Sequence, residues 1–289
     1  MEGGYDFNQE EPVLKKLRKS FAILLALCLI VSFGACDGGS GSDDPDPDPP
    51  APATPWLCFT AGSDAATVTT EIAVEVGTVS SPLPALEYSL DGGESWNTFT
   101  VDDTSVTLPK TGDKMYIRAK STNDVFSAWV DNSNFRIIIF AMTGSIAASG
   151  NIMSLFDKDC ESTTLSCYGC FYSLFYNCIS LTAAPDLPAT TLAERCYADM
   201  FNGCTHLTTA PELLATILVE GCYSQMFYGC SSLTSIKVHF TDAGWGVTSA
   251  TSYWVDGVNS AGTFYHTAAL TDTATGISRV PANFTPETF

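Results

Sequence analysis

The segments Met200-Phe-Asn-Gly-Cys-Thr-His-Leu-Thr208 and Met226-Phe-Tyr-Gly-Cys-Ser-Ser-Leu-Thr234 are two copies of one pattern, 26 residues apart. The same interval links further positions on both sides of them. The recurring sets are Cys178, Cys204 and Cys230; Cys170, Cys196 and Cys222; Phe175, Phe201 and Phe227; and Leu181, Leu207 and Leu233. A fixed period in the twenties, with leucine and cysteine at constant positions, indicates stacked repeat units.

The residue spacing within each unit predicts a short strand and a helix. Residues 207–213 carry apolar side chains at the spacing of an inward-facing strand segment. Leu192, Cys196 and Met200 recur at i, i+4 and i+8, which is the spacing of one helix face. Gly203 follows this run, as expected where a helix ends in a left-handed residue. No unit can bury its apolar face alone, so we expect neighbouring units to stack.

A resemblance to a known family rests on these segments. The sequence Met-Phe-x-Gly-Cys-x-x-Leu-Thr, together with Ala210-Pro-Glu-Leu213, resembles the repeats of BspA-like leucine-rich-repeat surface proteins. The similarity extends over about residues 140–289. It implies a cell-surface location and adhesion or binding, and it implies no catalytic residues.

The preceding region has a different periodicity. Val68, Ile72 and Val74 belong to a run that alternates with polar partners, and turn sequences separate it from later runs. The stretch Tyr88-Ser-Leu-Asp-Gly-Gly-Glu-Ser-Trp96 looks like part of an immunoglobulin- or fibronectin-type-III-like module. It also fits the Asp-box of sialidase propellers, which we interpret here as a hairpin turn rather than a site.

The predicted fold is therefore mixed α+β. An antiparallel β-sandwich of the immunoglobulin or fibronectin-III kind is expected at residues 56–140, followed by a short leucine-rich-repeat solenoid at 141–289. Because terminal units of a stack need altered faces, we assign residues 141–169 and 238–289 as caps around repeats at 170–237.

The N-terminus predicts export and lipid anchoring. Residues 1–35 read as a signal peptide whose apolar run, Phe21 to Phe33, is too short to span a bilayer. Gly34-Ala35-Cys36 resembles a bacterial lipobox, which implies lipidation of Cys36; the alternative is ordinary cleavage near Ala35. Residues 36–55 form an acidic, proline-rich tether. Its acidic start resembles the export signal of surface-exposed lipoproteins, which implies a location on the outer membrane of a Gram-negative bacterium.

Charge and reactive residues narrow the functional classes. With 13 Lys and Arg against 32 Asp and Glu, the chain has a net charge of −19, and we expect no nucleic-acid partner. The single Cys-x-x-Cys, Cys167 to Cys170, is half of what a four-thiolate zinc site needs. We expect the repeat cysteines to be buried packing groups, and disulfides remain open. His206, His239 and His266 are scattered, so we predict no metal, no cofactor and no enzymatic activity.

Three functional hypotheses remain. The first is a surface lipoprotein that binds a protein or glycan ligand through the side of the repeats on which the predicted strands lie. Its candidate face consists of Thr182, Thr208, Thr234 and Lys237. The second is carbohydrate binding by the sandwich. Its candidate stacking residues are Trp96, Trp129 and Tyr88. The third is a structural component of a fimbria or surface layer.

Overall fold

A computed structural model describes residues 55–123, 125–245 and 249–289. The predicted signal peptide, Cys36 and all but the last residue of the predicted tether lie outside the described residues. The strands are β1 (Leu57–Ala61), β2 (Ala66–Val76), β3 (Leu86–Ser89), β4 (Asn97–Phe99), β5 (Ser105–Leu108), β6 (Lys114–Ala119), β7 (Ala128–Asp131), β8 (Asn134–Thr143), β9 (Ile146–Ser149), β10 (Leu181–Ala183), β11 (Ser235–Val238), β12 (Gly262–His266) and β13 (Phe284–Thr288). Short 3-10 helices cover Ile152–Leu155 and Ser249–Thr251.

The predicted mixed α+β fold is wrong. The described residues contain no α-helix, and their regular secondary structure is nearly all β. Its strands form three separate sheets with the orders β10-β9-β1-β6-β3-β4, β5-β2-β8-β7 and β11-β12-β13. None of these sheets closes on itself or runs through all the repeats, as a leucine-rich-repeat solenoid would require.

The first two sheets pack face to face, which is compatible with the predicted immunoglobulin-like arrangement. Strand β2 pairs antiparallel with both β5 and β8, and β6 pairs antiparallel with β1 and β3. Phe59 of β1 meets Phe140 of β8 edge to face, with ring centroids 5.0 Å apart. Both rings are fully buried, and Val68 of the predicted alternating run belongs to the same core.

The two regions are continuous. The boundary predicted at 140/141 falls inside β8, and β9 joins the sheet of β1. The Phe140 N–H donates to the Leu174 carbonyl oxygen at 2.7 Å, so β8 also contacts the first turn-rich segment of the repeats. Residues from Pro55 onward belong to a single compact unit with one connected core.

The segments predicted as helices are runs of turns. Every fourth residue in them has a positive φ, and the runs at 195–203 and 221–229 share this pattern. The residues concerned are Arg195, Asp199, Gly203, Gly221, Gln225 and Gly229. An α-helix cannot contain left-handed residues at that frequency. The Tyr197 and Phe201 N–H groups instead donate to Cys222 and Met226 in the next unit, at 3.1 and 2.9 Å.

Stacked aromatic rings hold consecutive units together. Phe140, Phe175, Phe201 and Phe227 form one file, with successive centroid distances of 5.4, 5.4 and 5.8 Å and nearly parallel planes. All four rings are fully buried. Each contributes roughly 1.5–3 kcal/mol of burial free energy. Because the file begins at Phe140, strand β8 of the sandwich supplies the first layer of the stack.

The third sheet begins in the last repeat, with β11. Strands β11, β12 and β13 pair in parallel, with Ser235 opposite Thr263 and Thr263 opposite Thr285. The Phe289 N–H donates to the His266 carbonyl oxygen at 3.1 Å. Since N–H directions alternate along a strand, the backbone nitrogen of Pro286 faces away from β12. Proline has no N–H to donate there, so the outer edge of β13 lacks one of the hydrogen bonds that pairing with another strand would need.

Candidate functional site

The predicted lipidation site, Cys36, lies outside the described residues. Among the residues that the structure describes, no helix has the length and apolar composition to cross a bilayer.

The structure brings two of the predicted binding residues together. Thr208 and Thr234 are both exposed. The Thr234 N–H and hydroxyl donate to the Thr208 carbonyl oxygen at 2.9 and 3.2 Å. Thr182 is half-buried, and its hydroxyl donates to the Ile146 carbonyl oxygen of β9 at 3.0 Å. Thr182 therefore contacts strand β9 and is less exposed to solvent than Thr208 and Thr234.

A second set of hydroxyls runs beside this pair and was not predicted. Parallel pairing aligns Thr209 with Ser235, Ser235 with Thr263 and Thr263 with Thr285. We call these four residues the hydroxyl row. The neighbouring Ile236 is fully buried, so the alternation of the strand turns the row outward. Thr263 and Thr285 lie beyond the 26-residue repeats, so the repeat spacing carried no signal for them.

Lys237 lies at one end of this surface in a small charged cluster. Its Nζ is 2.9 Å from Glu212 Oε1, and His239 Nε2 is 2.5 Å from the same oxygen. The Lys237 ammonium also lies 4.5 Å from the centroid of the Phe289 ring. The hydrogen bonds from His239 and Lys237 lower the pKa of Glu212. Lys237 is thus engaged with Glu212, a partner that sequence reasoning missed because strand register alone brings them together.

The repeat cysteines are buried, as predicted, but one of them is bonded. Cys170 forms a disulfide with Cys167. The other five, Cys178, Cys196, Cys204, Cys222 and Cys230, carry free, buried thiols. Burial raises the pKa of Cys222 and of Cys230 to about 12. Because the thiolate is the reactive and metal-binding form, these groups are suited to packing rather than nucleophilic chemistry. The described residues contain no cluster of three His, Cys, Asp or Glu side chains able to hold a metal ion.

The sandwich aromatics are engaged with neighbours. The Arg118 guanidinium lies 3.7 Å from the centroid of the Trp96 ring. Trp129 stacks on Phe135 with centroids 4.6 Å apart. The Tyr88 ring packs edge to face against Phe99, with centroids 6.0 Å apart. Sugar stacking needs an open ring face, and for Trp96 and Trp129 one face is already covered.

The Asp-box forms the turn that its sequence predicts. Asp91 Oδ1 accepts hydrogen bonds from the Ser89 hydroxyl at 2.6 Å and from the Ser95 N–H at 2.9 Å. The Ser95 hydroxyl also donates to this carboxylate. These bonds lower the pKa of Asp91, with the bond from Ser89 as the largest cause. The carboxylate is used to fix the hairpin.

The residues behind the family resemblance occupy the turn runs and the strand edge beside them. Met200, Phe201, Met226 and Phe227 are fully buried, whereas Thr208 and Thr234 are exposed. The motif residues on which the predicted resemblance to BspA-like proteins rests are thus core positions and one exposed position of each repeat. In comparisons with known proteins, no family model, no curated protein and no solved structure matches this chain.

Proposed function

We propose that this chain is a non-enzymatic binding protein of a Gram-negative cell surface. Lipid on Cys36 anchors it in the outer membrane, and residues 36–55 hold the folded part away from the lipid. A protein or glycan macromolecule binds to the surface made by Thr208, Thr234 and the hydroxyl row, which we call the strand face.

The observation that carries this proposal is the ladder of outward hydroxyls on paired backbone. One backbone hydrogen bond links Thr234 to Thr208, and Ser235, Thr263 and Thr285 are aligned by parallel pairing. Neighbouring strands are about 4.8 Å apart, so the hydroxyls recur at a regular, short spacing. A hydroxyl both donates and accepts, and a fixed backbone reduces the entropy lost on binding. Such a surface suits a polar, extended ligand.

A capture experiment tests the proposal. The purified full-length chain should retain a component of mucus or extracellular matrix, and Thr208→Lys with Thr234→Lys should weaken that interaction at least about tenfold. The matched control is Thr98→Lys with Thr107→Lys, two exposed strand threonines of the other sheets. Both double variants should melt within a few degrees of the wild type.

Two outcomes would overturn the assignment. Equal weakening by the control pair would show that added positive charge, rather than the strand face, causes the loss. Binding that survives the Thr208 and Thr234 changes but is lost in Trp96→Ala would move the site to the sandwich.

A further inference from the structure

A cleft of about 380 Å³ lies beside the disulfide, and its lining includes no residue of the strand face. One wall comes from the sandwich loop at Thr122 and Asn123, and the other lining residues come from within the segments 153–157 and 162–167. The volume falls within the range of small-molecule sites in proteins.

Hydrogen bonds within the protein hold the walls of the cleft in place without a ligand. The Asn123 N–H donates to the Phe156 carbonyl oxygen at 2.9 Å, and its side-chain Nδ2 donates to the Leu155 carbonyl oxygen at 2.8 Å. On the opposite side, the Leu165 N–H donates to the Thr191 carbonyl oxygen at 2.9 Å. The disulfide joins Cys167, at the end of this wall, to Cys170. The cleft is therefore preformed, which lowers the entropic cost of binding.

The floor and the rim differ in chemistry. Met153, Phe156 and Leu165 are buried and form an apolar floor. Thr122, Thr164 and Ser166 are exposed at the rim, and none of their hydroxyls bonds to another described residue. This leaves three groups that can each donate and accept a hydrogen bond to a ligand.

Asp157 supplies the one carboxylate of the lining. Its Oδ1 accepts a hydrogen bond from the Asp159 N–H at 3.1 Å. Its Oδ2 takes no hydrogen bond from any described residue. A carboxylate oxygen accepts strongly from hydroxyl donors, and it repels an anionic ligand.

We propose that this cleft binds a neutral sugar ring, such as the terminal hexose of a glycan. A sugar offers hydroxyls that donate to Asp157 Oδ2 and exchange hydrogen bonds with Thr122, Thr164 and Ser166. Its C–H face can rest on the apolar floor. A cationic amine would satisfy Asp157, but it would leave the three rim hydroxyls only an accepting role. The site shares no residue with the strand face, so the sugar-binding proposal can be tested independently of the proposed function.

Saturation-transfer NMR on the purified full-length chain tests this, with a panel of neutral hexoses and N-acetylhexosamines and with ethanolammonium as a cationic probe. We expect transfer to at least one neutral sugar. Asp157→Asn keeps the shape and the Oδ1 acceptor, and should weaken that sugar about tenfold; Thr164→Val should weaken it about fivefold.

The matched control is Asp159→Asn, an exposed carboxylate next to the cleft that pairs with Lys158. It should leave sugar binding unchanged. Transfer to none of the sugars, transfer to the cationic probe alone, or an equal loss in Asp159→Asn would each overturn the proposal.

Discussion

The Sγ atom of Cys204 lies 3.0 Å from the carbonyl oxygen of Phe175, one unit earlier in the stack, and the thiol donates a hydrogen bond to it. Cys230 makes the same 3.0 Å bond to Phe201. Cys178 donates to Phe140 of β8 at 3.2 Å. Each cysteine therefore ties its own unit to the backbone behind the preceding stacked ring, which gives a physical reason for the 26-residue cysteine interval.

Replacing one of these thiols should cost stability. We expect Cys204→Ala to destabilise the fold by about 1–3 kcal/mol, because it leaves a small void and removes the bond to Phe175. Urea unfolding of the reduced protein measures the change. Cys160→Ala, at a half-buried position outside the stack, should stay within about 0.5 kcal/mol. Equal effects at both positions would contradict the proposed role of the thiol ladder.

The buried thiols should make the fold weaken at alkaline pH. Burial raises the pKa of Cys222 and Cys230 from 9.0 to about 12. Above pH 9 the unfolded thiols lose protons that the folded ones keep, so the unfolded state binds fewer protons and stability falls as pH rises toward 12. Each such group contributes up to about 1.4 kcal/mol per pH unit. The urea midpoint should be lower at pH 10 than at pH 8, and less so in Cys222→Ala with Cys230→Ala. A midpoint independent of pH would refute this.

Gly262 is required where β12 approaches the last repeat. A Cβ atom there would lie 2.3 Å from the Thr234 carbonyl oxygen and 2.6 Å from the Phe284 ring. We expect Gly262→Ala to destabilise the protein by about 1–3 kcal/mol through overpacking. Gly276→Ala is the control, since its nearest neighbour would be 4.0 Å away. Thermal unfolding of the two variants should separate them by several degrees; coincident curves would argue against the close approach.

Pro286 should keep the outer edge of β13 from pairing with another strand. Pro286→Thr restores an N–H on that edge and raises strand propensity, so we expect concentration-dependent association in sedimentation velocity. Thr285→Val raises propensity without changing the outer edge and should not associate. Association of the wild-type chain itself would contradict an edge blocked by Pro286 and would favour the structural fimbrial or surface-layer hypothesis.

The anchor is tested at Cys36. If this residue is acylated, Cys36→Ala should release the protein from the membrane fraction and abolish metabolic labelling with palmitate. Cys58→Ala, which removes a buried thiol of β1, should leave labelling intact. Persistent labelling of the Cys36 variant would overturn the lipoprotein proposal.

The repeat spacing predicted which residues are buried but not the backbone that carries them. Leu192, Cys196 and Met200 recur every four residues, and over only nine residues this spacing also places them on one face of a helix of period 3.6, so it did not separate the two structures. The structure has the period of four, with left-handed residues at Arg195 and Asp199. Neither residue is glycine, so no local signal marked the positive φ angles.

The candidate site was predictable only where it followed the repeat. Thr208 and Thr234 share a phase of the 26-residue unit and do lie together. Thr263 and Thr285 join them through strand register, and Glu212 reaches Lys237 across neighbouring segments. The cleft at Asp157 combines stretches that are distant in the chain. Such juxtapositions depend on long-range pairing, which residue patterns within a short window do not encode.

Strand β8 belongs to both the sandwich and the stack, because the Phe140 ring packs against Phe59 of the sandwich and Phe175 of the repeats. In evolutionary terms, the sandwich and the repeats must be kept together in one gene. A recombination event that broke the gene at codon 141 would leave the sandwich with an open face and the repeats without their first layer. Divergence should therefore concentrate in the number of internal units and in exposed loops, while the pairing of these two halves is inherited as one.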